Sequence, residues 1–121
     1  EAGIDRLRAK SVRQTEYLIS LAEQRLVPLG FAIGTPKLAE MRGSHVSLRH
    51  PEAYRINRAL IEAEPPDIKV IPDFREPDNI RLGVAPLYNS FVDIYLAIDR
   101  LHLIVKDRIY EKYSPKRLAV T

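Results

Sequence analysis

Apolar residues recur along this chain with two periods, and each change of period marks an element boundary. From Gly3 to about Val27, the residues Ile4, Leu7, Val12, Leu18, Ile19, Ala22 and Leu26 return at three- and four-residue intervals. That spacing predicts one long amphipathic helix. Asp5 near its start and Arg25 near its end oppose the helix dipole, and Pro28 with Gly30 closes it. Phe31 to Ile33 is a short strand candidate ended by Gly34-Thr35-Pro36, and Lys37 to Gly43 is a polar loop. Ser44 to Arg49 alternates, with Val46 and Leu48 facing inward and His45, Ser47 and Arg49 on the opposite face. Pro51 reads as the first position of a helix running from Glu52 to about Ala63, with Tyr54, Ile56, Leu60 and Ile61 as its apolar contribution.

Pro65-Pro66 forbids continuation of that helix. Asp67 to Phe74 reads as a third strand, in which Ile68, Val70 and Ile71 suggest burial on both faces. Glu76-Pro77-Asp78-Asn79 has proline at the second place of an expected type I turn, which makes a hairpin with the next strand. In that strand Ile80, Leu82 and Val84 face a core and alternate with Arg81, Gly83 and Ala85, up to Pro86. Ser90-Phe91-Val92-Asp93 is a capping-box variant opening a helix to about Tyr113. Phe91, Ile94, Tyr95, Ile98, Leu101, Val105 and Ile109 form its apolar face, Pro115 stops it, and Lys116 to Thr121 reads as a tail.

The order helix, strand, strand, helix, strand, strand, helix implies an α+β fold with a mainly antiparallel sheet of about four short strands and helices on one face. With 121 residues, no repeat and no dividing linker, residues 1–121 are expected to be a single domain. The chain opens on Glu1 rather than Met, so the expectation is a piece of something longer. Hydrophobic residues at 45% and charged residues at 29% are ordinary for a soluble globular protein. No apolar run approaches the roughly 20 residues that span a bilayer, so no membrane partner is expected. Zero Cys removes disulfides and thiolate chemistry and fits a reducing, cytoplasmic setting. The 19 basic and 16 acidic residues are interspersed, which argues against a nucleic-acid footprint.

Arg81 is the charge most able to carry function. Its next neighbour on the same strand face is Gly83, which lacks a side chain, so a small ligand can approach beside the guanidinium. A guanidinium is a planar fork that matches a carboxylate in bidentate fashion. The plainer reading has Arg81 on a solvated face, pairing loosely with Glu76 or Asp78. Tyr88, Pro86 and Asn89 flank this strand and could line a cleft, or Tyr88 packs its ring on the core and Asn89 helps cap the helix. Ser44, His45 and Ser47 are weaker candidates.

Asp73, Glu76 and Asp78 have the composition of a turn, where short acids bond nearby backbone amides. His45 and His50 are five apart and fall on opposite sides of a strand, and no spacing links them or His102 into a metal site. Lys10, Lys37, Lys69, Lys106, Lys112 and Lys116 all sit in polar, helix-surface or tail contexts unsuited to a Schiff-base nucleophile.

The run Ile80-Arg81-Leu82-Gly83-x-Ala85-Pro86-Leu87-Tyr88-Asn89-Ser90-Phe91-x-Asp93, preceded by Pro72-Asp73-Phe74-Arg75-x-Pro77-Asp78, resembles the C-terminal part of kynureninases. The resemblance extends upstream through Arg42-Gly43-Ser44-x-Val46-Ser47-Leu48-Arg49-His50-Pro51 and Gly3-Ile4-x-x-Leu7-Arg8-x-Lys10-Ser11, and so covers nearly the whole chain. It implies the small domain of a pyridoxal phosphate enzyme of the aspartate aminotransferase fold type. Such an enzyme hydrolyses L-kynurenine, or its 3-hydroxy form, to an anthranilate and L-alanine, in tryptophan catabolism and NAD biosynthesis. It also implies a cytoplasmic homodimer, with Arg81 binding the substrate α-carboxylate and with no catalytic or cofactor-binding residue in this piece. The cofactor lysine would lie in an absent large domain, leaving this chain alone inactive. One stretch departs from the family pattern: Glu64-Pro65-Pro66-Asp67-Ile68-Lys69 stands where a short Gly-containing turn is expected.

Other readings are the small domain of another pyridoxal phosphate enzyme of that fold type, or a stand-alone regulatory module binding amino acids. An RNA-binding sheet would want exposed aromatics, and Val46, Leu48, Ile80 and Leu82 provide none.

Overall fold

The computed structural model describes residues 2–34, 45–62, 71–83 and 89–114. The first helix, α1 (Ala2–Arg25), carries Asp5 in its first turn and Arg25 in its last. Its C-terminal half enters the core, where Leu18, Ala22 and Leu26 are fully buried, whereas Ile4 near the start is 65% exposed. The helix stops two residues short of the predicted Val27. Pro28 sits in a turn of 3-10 helix, Val27–Leu29, and Gly30 at φ 102 reverses the chain, a backbone region that disfavours any side chain.

The remaining elements are β1 (Ala32–Ile33), β2 (His45–Arg49), α2 (Ala53–Glu62), β3 (Ile71–Arg75), β4 (Asn79–Gly83), α3 (Phe91–Lys106) and a last 3-10 turn, Ile109–Lys112. The strands form one sheet in the order β1-β2-β4-β3 with every pairing antiparallel. The expected α+β architecture is therefore present, with the helices and strands in the expected order.

The two-residue period of β2 and β4 decides the layering. Val46 pairs with Leu82 and Leu48 with Ile80, and all four are fully buried. Against them pack Ala53, Ile56, Ala59 and Leu60 of α2 and Ile94, Ala97, Ile98, Leu101 and Ile104 of α3. A fully buried Leu or Ile contributes roughly 1.5–3 kcal/mol relative to an exposed one, so this layer between sheet and helices supplies the main driving force. On the other sheet face the register sets Ser47, Arg81 and Asp73 side by side, with Arg49, Asn79 and Arg75 on the next rung.

Several boundaries differ from the sequence reading. Pro51 and Glu52 form a turn ahead of α2, whose first residue Ala53 donates its N–H to the His50 carbonyl at 3.0 Å. Ile61 is 57% exposed and contributes little to the core. Of the third strand the described part is Ile71–Arg75, and Asp67 to Val70 lie outside the described residues. Asp73 lies in this strand, as the strand reading placed it, and not in the loop with Glu76 and Asp78. The Glu76–Pro77 bond is cis, and β3 and β4 pair as the expected hairpin.

The last helix ends at Lys106 instead of reaching Tyr113. Arg108 adopts a left-handed conformation at φ 55, which turns the following residues back onto α2. There the Arg55 side chain donates from Nε to the Tyr113 carbonyl at 2.9 Å and lies 5.3 Å from the Tyr110 ring. Phe91 and Tyr95 are 40% and 43% exposed rather than core residues. They lean on α1 instead, Phe91 edge-on to Tyr17 and Tyr95 beneath the Arg25 guanidinium.

Candidate functional site

The Arg81 face of the sheet is built rung by rung from β2, β4 and β3. Register places Ser47, Arg81 and Asp73 side by side, with Arg49, Asn79 and Arg75 on one flanking rung and His45, Gly83 and Ile71 on the other. Residues directly opposite in an antiparallel pair have Cβ atoms about 4.5–5.5 Å apart, so each rung is a set of neighbours. Among the described strand residues this face carries Arg49, Arg75 and Arg81 against one carboxylate, Asp73, which makes the strands locally cationic here.

His45, Pro72, Asp73, Arg81 and Gly83 line a concavity of about 290 Å³. It opens because Gly83 contributes no side chain between His45 and β3. Arg81 is about one-third exposed, at 35% of its side chain. Its Nε is buried and has no hydrogen-bond partner among the described residues. The nearby carboxylate is Asp73, across the hairpin, with Oδ2 at 3.9 Å from Arg81 Nη2; no such contact joins Arg81 to Glu76 or Asp78 among the described residues. Asp73 Oδ2 instead accepts a hydrogen bond from Arg75 Nε at 3.0 Å.

A guanidinium stays charged and cannot transfer a proton at physiological pH. The arrangement can hold a planar anion and orient it, with two parallel N–H groups offered to two oxygens.

Tyr88, Pro86 and Ser44 lie outside the described residues. Asn89 is buried at 4% exposure, and its backbone carbonyl accepts from Gln14 Nε2 at 2.7 Å. His45 lines the concavity, while His50 lies on the core side. There His50 Nδ1 accepts from the Glu52 N–H at 2.9 Å, and the ring packs on Phe31 at 4.8 Å and Tyr110 at 6.5 Å. Burial pushes its pKa below the usual histidine range, against the opposing pull of a hydrogen bond with the Leu29 backbone and the charge of Glu52. Among the described residues no group of three or more His, Asp or Glu could hold a metal ion.

The residue that sequence reasoning missed is Asp73. The signal was present in the alternation Pro72-Asp73-Phe74-Arg75, which puts Asp73 and Arg75 on one face, but it required the hairpin register to bring Asp73 opposite Arg81.

A family model described as the kynureninase C-terminal domain matches residues 7–101, a span that includes the concavity. The kynureninase of Bacillus thuringiensis subsp. konkukian (strain 97-27) is 42% identical over 120 residues, covering 99% of this chain and 27% of the relative. That of Geobacillus thermodenitrificans (strain NG80-2) gives the same identity and coverage. The kynureninase of Shouchella clausii (strain KSM-K16) is 41% identical over 117 residues, 97% of this chain and 26% of the relative. The chain thus spans about a quarter of the length of the curated relatives it matches.

Proposed function

The chain belongs to the kynureninase C-terminal domain family, and on that premise we propose that it is the C-terminal domain of a longer hydrolase whose substrate α-carboxylate is gripped by Arg81. The longer protein would cleave the side-chain carbon–carbon bond of L-kynurenine, or its 3-hydroxy form, to yield an anthranilate and L-alanine. Its setting would be tryptophan catabolism and NAD biosynthesis, in a cytoplasmic homodimer. Among the described residues no helix is long and apolar enough to cross a membrane.

The observation that carries this reading is the buried Nε of Arg81, without a hydrogen-bond partner among the described residues, on a side chain that lines the concavity together with Gly83. A buried donor left unsatisfied costs about 1–3 kcal/mol, and a bound carboxylate relieves that cost. The site then acts by orientation: fixing one end of the substrate aligns the reacting bonds at the other. Closure of this domain over the rest of the protein would complete the enclosure and exclude water.

The described residues do not fit pyridoxal phosphate by themselves. Lys10 lies on α1, Lys106 in the last turn of α3 and Lys112 in the final 3-10 turn, and none lines the concavity. On this reading the cofactor would be held by the rest of the longer hydrolase, and the chain alone is expected to be inactive.

In the complete protein, Arg81→Ala should raise KM for L-kynurenine by roughly 10- to 100-fold, the loss of a charge-assisted pair of hydrogen bonds. Arg81→Lys should be nearly as damaging because the fork is lost. Wild-type kinetics in both variants would remove the assignment.

A further inference from the structure

We propose that Asp73 is a built-in counter-carboxylate for Arg81, held off it by Arg75, and that this pair sets how readily the concavity accepts an incoming carboxylate. The inference rests on the reading of Arg81 as the carboxylate-binding residue.

Two arginines share one aspartate on this face. Asp73 stands directly opposite Arg81 in the β3–β4 register, and Arg75 is its next neighbour on the same side of β3. Arg75 Nε reaches Asp73 Oδ2 at 3.0 Å, a hydrogen bond, whereas Arg81 Nη2 lies at 3.9 Å from the same oxygen, beyond hydrogen-bond range. Nε and Nη2 form one edge of the planar fork, and Arg81 Nε has no partner among the described residues. That edge therefore faces an aspartate that is close enough to occupy it and does not. A swing of Asp73 onto Arg81 would satisfy the buried N–H and block a ligand, because two carboxylates on one guanidinium edge repel each other.

The side chains of Arg81, Arg75 and Asp73 are 35%, 57% and 49% exposed. Pairs this wet exchange at small cost. Arg75 is then what keeps the fork vacant, and an arriving carboxylate competes with Asp73 for it.

The competition gives two variants opposite signs. In the complete enzyme, Asp73→Asn removes the rival charge and should lower KM for L-kynurenine roughly two- to fivefold, the range of an exposed ion pair. Arg75→Ala frees Asp73 to close on Arg81 and should raise KM by a similar factor. The double variant should return to the KM of Asp73→Asn. Inhibition by benzoate, a simple monocarboxylate, should follow the same order and reads the site without turnover. A merely structural role would weaken binding in all three variants. A raised KM in Asp73→Asn, or an Arg75→Ala effect that persists when Asp73 is absent, overturns the proposal. If Arg81→Ala raises KM strongly while Asp73→Asn fails to lower it, the Asp73 inference fails alone. If Arg81→Ala leaves KM unchanged, the carboxylate reading and this inference fall together.

Discussion

Gln14 on α1 donates from Nε2 to the backbone carbonyl of Asn89 at 2.7 Å, across 75 residues of sequence, and both residues are buried. The bond ties the middle of the first helix to the residue that precedes the cap of α3, on the segment leaving the Arg81 strand. Gln14 is fully buried at 0% exposure, so its amide has no water to fall back on. Gln14→Leu keeps the side-chain bulk and deletes the donor, and should lower the unfolding free energy by about 1–3 kcal/mol. A guanidinium titration of the complete protein reads this as a lower midpoint at unchanged slope. An unshifted midpoint would show that the bond contributes nothing.

The start of α3 is held by a reciprocal pair. Ser90 Oγ accepts from the Asp93 N–H at 3.1 Å, and Asp93 Oδ2 accepts from the Ser90 N–H at 2.8 Å. Ser90→Ala leaves a first-turn amide without its acceptor and should cost about 0.5–2 kcal/mol, while Ser90→Asp, which can still cap, should cost less. Thermal melts of the two variants would rank them in that order, and equal melting temperatures would contradict it.

His50 makes stability depend on pH. Its Nδ1 accepts the Glu52 N–H, so the ring is neutral, and burial against Phe31 and Tyr110 pushes its pKa down despite the Leu29 hydrogen bond and the Glu52 charge. The unfolded chain, with an ordinary value near ~6.5, takes up the proton first as pH falls. The stabilisation is therefore complete above about pH 6.5 and is lost progressively below it, toward the depressed folded value. Urea midpoints at several pH values between 7.5 and 5 should decline for the wild type more steeply than for His50→Gln. Parallel declines would show that other groups carry the dependence.

The layering was legible because a two-residue period has one interpretation: Val46, Leu48, Ile80 and Leu82 could face only one way, and Arg81 the other. The capping box was legible because its partners are three residues apart. What needed the structure was pairing across a turn. The register behind that turn leaves no periodic mark, so nothing in the spacing set Asp73 opposite Arg81. The end of α3 was hidden for another reason. Val105 and Ile109 keep helical spacing although Arg108 between them is left-handed, and apolar residues that fold back onto α2 satisfy the same pattern as a continued helix. Ile61 fits the helical face of α2 by spacing but falls at its exposed end. Arg81 was singled out by residue chemistry and by the glycine beside it, which needed no tertiary knowledge.

That glycine offers the last test of the site. Gly83 pairs with His45 on one side and Ile71 on the other, and lines the concavity one rung from Arg81. Valine there would suit a strand by propensity, so the fold should survive, but its branched side chain would project into a space of about 290 Å³. Overfilling a fitted site costs about 1–3 kcal/mol, which corresponds to roughly a 5- to 150-fold rise in KM for L-kynurenine. Asn79 is the control, since it occupies the same strand face on the far side of Arg81 and does not line the concavity. Asn79→Val should therefore leave KM within about twofold while Gly83→Val raises it. Gly83→Ala should fall between the two, because a single methyl takes only part of the space. Equal KM values for Gly83→Val and Asn79→Val would mean that the ligand does not enter beside Gly83, and the approach to the guanidinium would have to come from another direction.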